Sequence, residues 1–263
     1  MRRVAHAAVL LLVFAGNGEL PRLLDEAERV RKSDKPRARQ LLDEVNRALA
    51  AQPDPRLIAR AQLLECRWAD VPGPAIRAAD AGLDAAAGAR DGRLRARLLL
   101  CRGVAFQLDS RKVEAERDYL EAARIAAASG DAATAGDALA DAGSVQYERG
   151  AMAEALANLN AAYRNAEARG DEKARLDALS GIANVYADAH VAQYDKAVEY
   201  YRQLLTAYER RGEQSDVADT LFNLGATSDT KGDFSVAVVY YRRALKSFEQ
   251  QKKPSDEIGR AHV

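Results

Sequence analysis

One repeated pattern of small and aromatic residues constrains this chain more than any other feature. Gly103, Gly143, Ala183 and Gly225 form a first column, with steps of 40, 40 and 42 residues. Three further columns keep nearly the same steps: Ala115, Ala155, Ala197 and Ala237; Tyr119, Leu159, Tyr201 and Tyr241; Ala122, Ala162, Leu204 and Ala244. Self-similarity at such a period predicts stacked units, each of which packs against its neighbours.

Each repeated unit is predicted to be a pair of helices, A and B, because alanine, leucine and arginine dominate the chain. The first column is expected midway along helix A, where helix B of the same repeat crosses closely. The alanines of the second column have the same role on helix B. The third and fourth columns share one face of helix B and are expected to fill the space toward the next repeat.

Glycines mark the predicted turns. Gly130, Gly170 and Gly212 separate the repeats, and Gly150 and Gly232 separate the helices within a repeat. Glycine suits the left-handed position that follows a helix, and the acidic residue after several of these glycines suits the start of the next helix.

The last repeat resembles a tetratricopeptide repeat almost position for position. The matching residues are Leu224-Gly225, Gly232-Asp233-Phe234, Ala237, Tyr241 and Ala244-Leu245. The segment from Ile182 to Tyr201 is similar, with two extra residues in its turn, and Asp109-Ser110-Arg111 replaces the turn glycine of an earlier repeat. Tetratricopeptide units usually have about 34 residues, so the longer unit leaves HEAT-like repeats as the second possibility.

Two weaker helix pairs are predicted upstream, over 20–51 and 57–87. The expected fold is therefore all-α, a right-handed α-solenoid of about six antiparallel helix pairs. Residues 17–90 hold two divergent pairs, and residues 91–251 hold four tetratricopeptide-like repeats.

Both ends of the chain differ from the repeats. A basic start, an apolar stretch to Gly16 and small residues near Ala15 predict a secretory signal over residues 1–16; a hydrophobic first helix or an uncleaved anchor is the alternative. The tail over 252–263 is expected to be non-native, because one back-translation of its last residues matches sequencing-adapter DNA. An ordinary polar C-terminus is the alternative.

Cys66 and Cys101 are the only cysteines, and neither lies in a metal-binding pattern. We expect two small buried helix residues. A disulfide is possible in an exported protein, but the two cysteines occupy different places in the repeat, which argues against it.

Charge and motifs exclude several classes of function. Lys and Arg total 39, and so do Asp and Glu, so the net charge of zero does not indicate nucleic acid as a partner. The sequence shows no phosphate loop, zinc pattern or nucleophile motif, and no apolar run of spanning length follows the signal. We expect no cofactor, no metal and no catalytic residue. His190 is expected in a solvated loop.

The resemblance implies that the A helices line a groove for a partner. The groove residues implied by position are Asp137, Ser144, Tyr147, Asp177, Asn184, Asp188, Asp219, Phe222, Asn223 and Asp229. Asp137, Asp177 and Asp219 share one repeat position. Such an acidic groove would suit an extended protein or peptide segment that is basic or neutral; the alternative is that these carboxylates only keep helix A soluble.

Two functions follow from these features. The first is a non-catalytic protein-interaction scaffold, exported and expected in a bacterial periplasm. The alternative is the periplasmic sensory region of a truncated membrane signalling protein, a diguanylate cyclase or histidine kinase whose output domain is missing. The opening of the array, Leu23-Leu24-Asp25-Glu26-Ala27 through Arg39-Gln40-Leu41-Leu42, is similar to the start of such sensors. A self-contained enzyme is not expected.

Overall fold

The computed structural model describes residues 18–252, which are almost entirely helical and contain no strand in that range. In chain order the helices are α1 Leu20–Val30, α2 Lys35–Ala51, α3 Pro55–Trp68, α4 Pro72–Ala89, α5 Gly92–Leu108, α6 Lys112–Ala128, α7 Ala132–Glu148, α8 Met152–Arg169, α9 Glu172–Ala187, α10 Tyr194–Arg211, α11 Gln214–Lys231 and α12 Phe234–Lys252. The chain divides into two compact units between Ala138 and Leu139, within α7. The predicted signal over residues 1–16 and the tail after residue 252 lie outside the described residues.

Odd-numbered helices are the A helices and even-numbered helices are the B helices. Short turns join each A helix to its B helix, and the two pack side by side, as α3 does on α4 and α11 on α12. The all-α fold of tetratricopeptide-like helix pairs is thus confirmed for residues 18–252. Each unit has its own core. Leu24, Leu42 and Leu64 belong to the core of the first unit, and Leu204 and Leu224 belong to that of the second.

The turns form as the glycine pattern predicts. The turn glycines at 130, 150, 170, 212 and 232 all have positive φ, between 66° and 92°. Ser110 adopts the same left-handed backbone, with φ of 61°, where the sequence lacks a turn glycine. Aspartates begin several helices: the Asp91 carboxylate, for example, accepts the backbone N–H of Leu94 at 3.0 Å.

The glycine and aromatic columns meet inside single repeats. A Cβ placed on Gly103 would lie 2.6 Å from the Tyr119 ring, and one on Gly225 would lie 2.7 Å from the Tyr241 ring. The close crossing of helices A and B is therefore confirmed. The prediction that the third column fills the space toward the next repeat was incomplete, because these rings occupy the hollow left by the glycine of their own repeat. Leu159 does both, since it packs on Gly143 and also on Gly181 of the following A helix.

Replacing Gly103 by Ala tests this packing. We expect Gly103→Ala to lower the free energy of unfolding by about 1–3 kcal/mol through overpacking against Tyr119, although alanine favours helix by about 1 kcal/mol. Gly88→Ala in α4 is the control, because its nearest neighbour would be 3.8 Å away. Urea unfolding measures the free energy of unfolding of both variants. Equal stabilisation by the two changes would contradict the tight crossing.

The two cysteines correct the sequence-based expectation. Cys66 of α3 and Cys101 of α5 form a disulfide, with Cα atoms 6.4 Å apart. Cys66 lies two residues before the end of α3, whereas Cys101 lies seven before the end of α5. Their different places in the repeat therefore do not keep them apart, because α3 and α5 pack on each other directly.

Candidate interaction surface

The first unit has an open groove along its A helices. Residues of α3, α5 and the first half of α7 line a cavity of about 730 Å³, with the Cys66–Cys101 disulfide in its wall. Its apolar lining includes Leu63, Leu100, Val104, Leu108 and Val71. Val71, Val104 and Leu108 remain 57%, 42% and 73% exposed. Apolar side chains left open together in a concave surface are typical of a binding site.

The arginines around this groove all have carboxylate partners. Arg60 pairs with Asp25, Arg67 pairs with Glu28 at 2.8 Å, and Arg97 pairs with Asp131 at 2.9 Å. Glu28, Asp70 and Asp137 also line the groove, so its lining has three acidic and three basic side chains. Asp25 and Asp131, which pair with two of these arginines, add two further carboxylates beside the lining.

Asp131 holds the start of α7 beside the groove. Its buried carboxylate accepts hydrogen bonds from the Thr134 hydroxyl at 2.9 Å, the Thr134 backbone N–H at 3.3 Å and Arg97. Burial opposes ionisation, but these hydrogen bonds and the Arg97 charge outweigh it and lower the pKa of Asp131. The carboxylate is therefore ionised at neutral pH.

A pH dependence follows from the lowered pKa. The stabilisation by Asp131 is complete above the ordinary Asp pKa of about 3.9 and is lost as the pH falls through the lower folded-state pKa. We expect Asp131→Ala to cost about 1–2 kcal/mol at neutral pH, as for other helix caps, and much less in strong acid. Urea unfolding of the natural chain and of the variant across this pH range measures how the cost in stability changes with pH. A cost that does not change with pH would contradict the ionised cap.

The predicted groove residues differ in exposure, and all lie on the A helices except Asp188, which directly follows α9. Ser144, Asp177, Asp219, Phe222 and Asp229 are exposed in the second unit, where Tyr147, Asn184, Asp188 and Asn223 are half-buried. Asp137 is exposed in the first unit and lines the groove described above. Their role in binding a partner stays a prediction.

A predicted residue of α7 meets one that directly follows α9 in the second unit. The Tyr147 hydroxyl of α7 forms a hydrogen bond with the Asp188 carboxylate, which follows α9. Burial, together with this carboxylate, raises the pKa of Tyr147. The backbone N–H of His190 donates to Asp188 at 2.9 Å and lowers the pKa of Asp188. The His190 side chain itself is exposed in the loop, as the sequence predicts.

Other predicted residues already have partners within the chain. Asn184 accepts a hydrogen bond of 2.6 Å from the buried Tyr201 hydroxyl, and Asp177 pairs with Lys173 at 2.6 Å. The Phe222 ring is 52% exposed and lies 5.7 Å from the Tyr241 ring, centroid to centroid. Phe222 thus presents an aromatic surface on α11 that the other residues of 18–252 leave open.

Sequence reasoning missed the apolar part of the groove. A signal was present in α5, where Leu100, Val104 and Leu108 recur every four residues on one face while Leu94 and Leu98 are buried on another. A helix with apolar residues on opposite faces has more apolar surface than one neighbouring helix covers. In residues 18–252 no cluster of three His, Cys, Asp or Glu side chains is placed to hold a metal ion. Over the same residues, every helix is too short or too polar for a membrane span.

Comparison with known proteins supports the same fold. Residues 174–250 match the tetratricopeptide repeat family model. Comparison with curated proteins gives no match.

Several solved structures resemble the chain. BtubC (BKLC) from P. vanneervenii has a TM-score of 0.64 at 17% identity, over 90% of this chain and 91% of that one. A signal transduction ATPase with a tetratricopeptide repeat sensor, from Pyrococcus horikoshii, has a TM-score of 0.73 at 15% identity, over 94% of this chain but only 40% of that protein. NprR in complex with its cognate peptide NprX has a TM-score of 0.58 at 18% identity, over 87% and 67%. Residues 174–250 are therefore tetratricopeptide repeats, within a chain whose described part has the helix-pair fold that such repeats build.

Proposed function

We propose that this chain is a non-catalytic scaffold that binds an extended segment of another protein along its A helices. The observation that carries the proposal is that the A helices leave side chains open in each unit: Val104 and Leu108 in the first, Phe222 and Asp219 in the second. An open array of helix pairs displays a long surface and does not readily enclose a reaction centre. The similar fold of NprR, which was crystallised with a peptide, supports the same kind of ligand.

Photo-crosslinking tests which surface binds. A photoreactive amino acid at Phe222 of α11 is compared with one at Arg164, an exposed residue of the B helix α8. Both variants are exposed to an extract of the source organism. We expect one defined protein to cross-link at 222 and not at 164. Equal cross-linking at both positions, or none at 222, would contradict binding along the A helices.

The acidic residues of the predicted groove need a separate test. If Asp137, Asp177 and Asp219 attract a basic segment, their replacement by Ala should weaken capture of the cross-linked partner and reduce the dependence of its affinity on salt. Unchanged capture would mean that these carboxylates only solvate the A helices.

A sensory function is the second proposal. The signal transduction ATPase from Pyrococcus horikoshii contains a tetratricopeptide repeat sensor, and this chain resembles 40% of that larger protein. An array of this kind could therefore serve as the sensory region of a signalling protein. Reading the genomic DNA downstream decides between the two: a spanning helix followed by a cyclase or kinase segment would favour the sensor, and an early stop codon would favour the scaffold.

Export is proposed for either function. The Cys66–Cys101 disulfide supports it, since such bonds persist mainly in oxidising compartments such as the bacterial periplasm. Export is tested in a bacterial host by fusing the chain to alkaline phosphatase, an enzyme that is active only after export. We expect activity that is lost when residues 1–16 are deleted. Activity that does not depend on residues 1–16 would contradict the predicted signal.

A further inference from the structure

We propose that the outer face of the helix pair α11–α12 binds a second copy of this chain. The outer face is the side of this pair that points away from α10. Its exposed side chains include Asp219 and Phe222 of α11 and Val238, Arg242 and Leu245 of α12. The face belongs to the second unit and is not part of the groove described above, and the proposal does not depend on the scaffold function.

α12 is built like a helix that a further helix covers. Leu205 and Tyr208 of α10 stand 40 residues before Leu245 and Phe248 of α12. On α10 these two side chains are 7% and 8% exposed, because they share a core with Val217 of α11. On α12, Leu245 is 59% exposed and Phe248 is only half-buried. The described residues thus leave open on α12 the surface that the next helix covers on α10.

The open side of α12 is an apolar strip that points away from α10. Phe234, Val238 and Leu245 are exposed and lie on one side of α12, because they are four and seven residues apart. Tyr240 and Arg243 lie on the other side, where they form hydrogen bonds of 3.2 and 2.9 Å with α10. An apolar outer side on a stack of helix pairs favours association with another surface, since such sides are normally polar.

α11 presents an acidic side chain beside this strip. Val217 shares a core with α10, and Asp219 lies on the opposite side of α11, about 200° further round the helix. The Phe222 ring lies 5.7 Å from the Tyr241 ring of α12, centroid to centroid. Because α11 and α12 run antiparallel, Asp219, nearly one turn before Phe222, lies level with the turn of α12 that follows Tyr241.

The two helices of this pair carry opposite charge. Over residues 214–251, the exposed charged side chains without an ion-pair partner among residues 18–252 are three acids on α11, and two bases and one acid on α12: Asp216, Asp219, Asp229, Arg242, Lys246 and Glu249. The other exposed charges there, Lys231, Asp233 and Arg243, form ion pairs within the chain. α11 therefore has an excess of acid and α12 an excess of base.

A second copy fits this face by symmetry. A two-fold axis parallel to the helices places α11 of each copy against α12 of the other. The acidic side of α11 then meets the basic side of α12 twice, with Asp219 within side-chain reach of Arg242 of the second copy. Leu245 packs near Phe222 of the second copy and is removed from water. A second copy therefore covers both the apolar strip and the unpaired charges.

The size of the face sets the expected strength of the dimer. α11 and α12 have 18 and 19 residues, so the pair is about 27 Å long and about 20 Å wide, or about 500 Å² per copy. Two such faces together bury about 1,000 Å², which is near the lower end for a specific interface. We therefore expect a reversible dimer with a dissociation constant on the order of 10 μM.

Sedimentation velocity of the purified chain over a range of concentrations measures the dimer. Val238→Ser should weaken it by at least about tenfold, because both copies bury Val238. Val239→Ser is the matched control and should leave the dimer unchanged. Val239 is the neighbouring valine, 56% exposed against 46% for Val238, but it points about 100° away from Val238 around the helix. Circular dichroism checks that both variants fold.

Charge reversal tests the pairing between copies. Asp219→Arg puts like charges on the facing helices, and so does Arg242→Asp, so each variant alone should dimerise at least about tenfold more weakly. In an equal mixture, a dimer with one copy of each variant has arginine opposite aspartate at both places. Such mixed dimers should form with nearly the affinity of the natural chain. A contact within one chain would not produce this recovery.

The outcomes decide the proposal without reference to any other partner. A dimer that weakens with Val238→Ser, persists with Val239→Ser and returns in the charge-reversed mixture supports it. A chain that stays monomeric up to about 1 mM overturns it. Equal weakening by the two valine changes, or a mixture that dimerises no better than its components, overturns it too. Only the purified chain is used, so failure of the dimer leaves the scaffold function standing.

Discussion

Replacing Asp118 by Ala should lower the free energy of unfolding of the first unit by about 3–5 kcal/mol, as expected when one partner of a buried ion pair is removed. Asp118 of α6 is only 4% exposed. Arg102 of α5 donates to its two carboxylate oxygens at 2.6 and 2.9 Å, and its third nitrogen donates to Asp80 of α4 at 2.6 Å. The hydrogen bond with Asp118 raises the pKa of Arg102. Without Asp118, a guanidinium that is mostly covered by protein loses its principal partner.

Two controls separate this ion pair from ordinary surface charge. Asp80→Ala should cost less than about 1 kcal/mol, because the Asp80 side chain is 53% exposed. Replacing Arg102 and Asp118 together by leucine should recover much of the loss, because no unpaired charge then remains. Urea unfolding measures all three variants. An Asp118→Ala cost no larger than that of Asp80→Ala would contradict the buried pair.

Removing the Cys66–Cys101 disulfide should have an effect of similar size. The bond joins residues 35 apart in sequence, and the loop-closure estimate for such a loop is about 4 kcal/mol at 25 °C. The double variant Cys66→Ala with Cys101→Ala should therefore unfold at a markedly lower denaturant concentration. In this estimate the disulfide stabilises the fold by restricting the unfolded chain, so the loss is largest when nothing else restricts that chain.

Reductant provides the matched control for this prediction. It should lower the unfolding midpoint of the natural chain to nearly that of the double variant and leave the double variant unchanged. Mass spectrometry after thiol labelling verifies that the bond has been reduced. A natural chain whose midpoint does not change after complete reduction would show that the bond contributes nothing to stability.

Much of the fold could be predicted because four columns of aligned residues repeat with nearly the same spacing. Gly103 and Gly225 mark the close crossings, and Gly170 and Gly212 mark turns, since each of these positions excludes larger side chains or requires positive φ. These constraints act within one helix pair, so sequence spacing alone identifies them. The weaker upstream pairs could be placed too, because Pro36 and Pro55 lie near helix starts, where proline is tolerated.

The disulfide and the apolar groove could not be predicted, because both depend on contacts between different repeats. Cys66 and Cys101 meet only through the packing of α3 on α5, which repeat alignment does not encode. Val104 and Leu108 recur on one face of α5 in the sequence, but that recurrence does not show whether the neighbouring helices cover these side chains or leave them open. Asn184 shows the converse: its position suggested a groove residue, while its side chain accepts the Tyr201 hydroxyl.

The central claim is that the A helices bind another protein. Its most direct test is amide hydrogen exchange of the chain, measured with and without the partner that cross-linking identifies. Amide protection reports which helices the partner covers or stabilises. We expect slower exchange on binding in A helices such as α5, α9 and α11, with little change in the B helices α6, α8 and α10. Protection confined to the B helices, or no protection with a bound partner present, would contradict the claim.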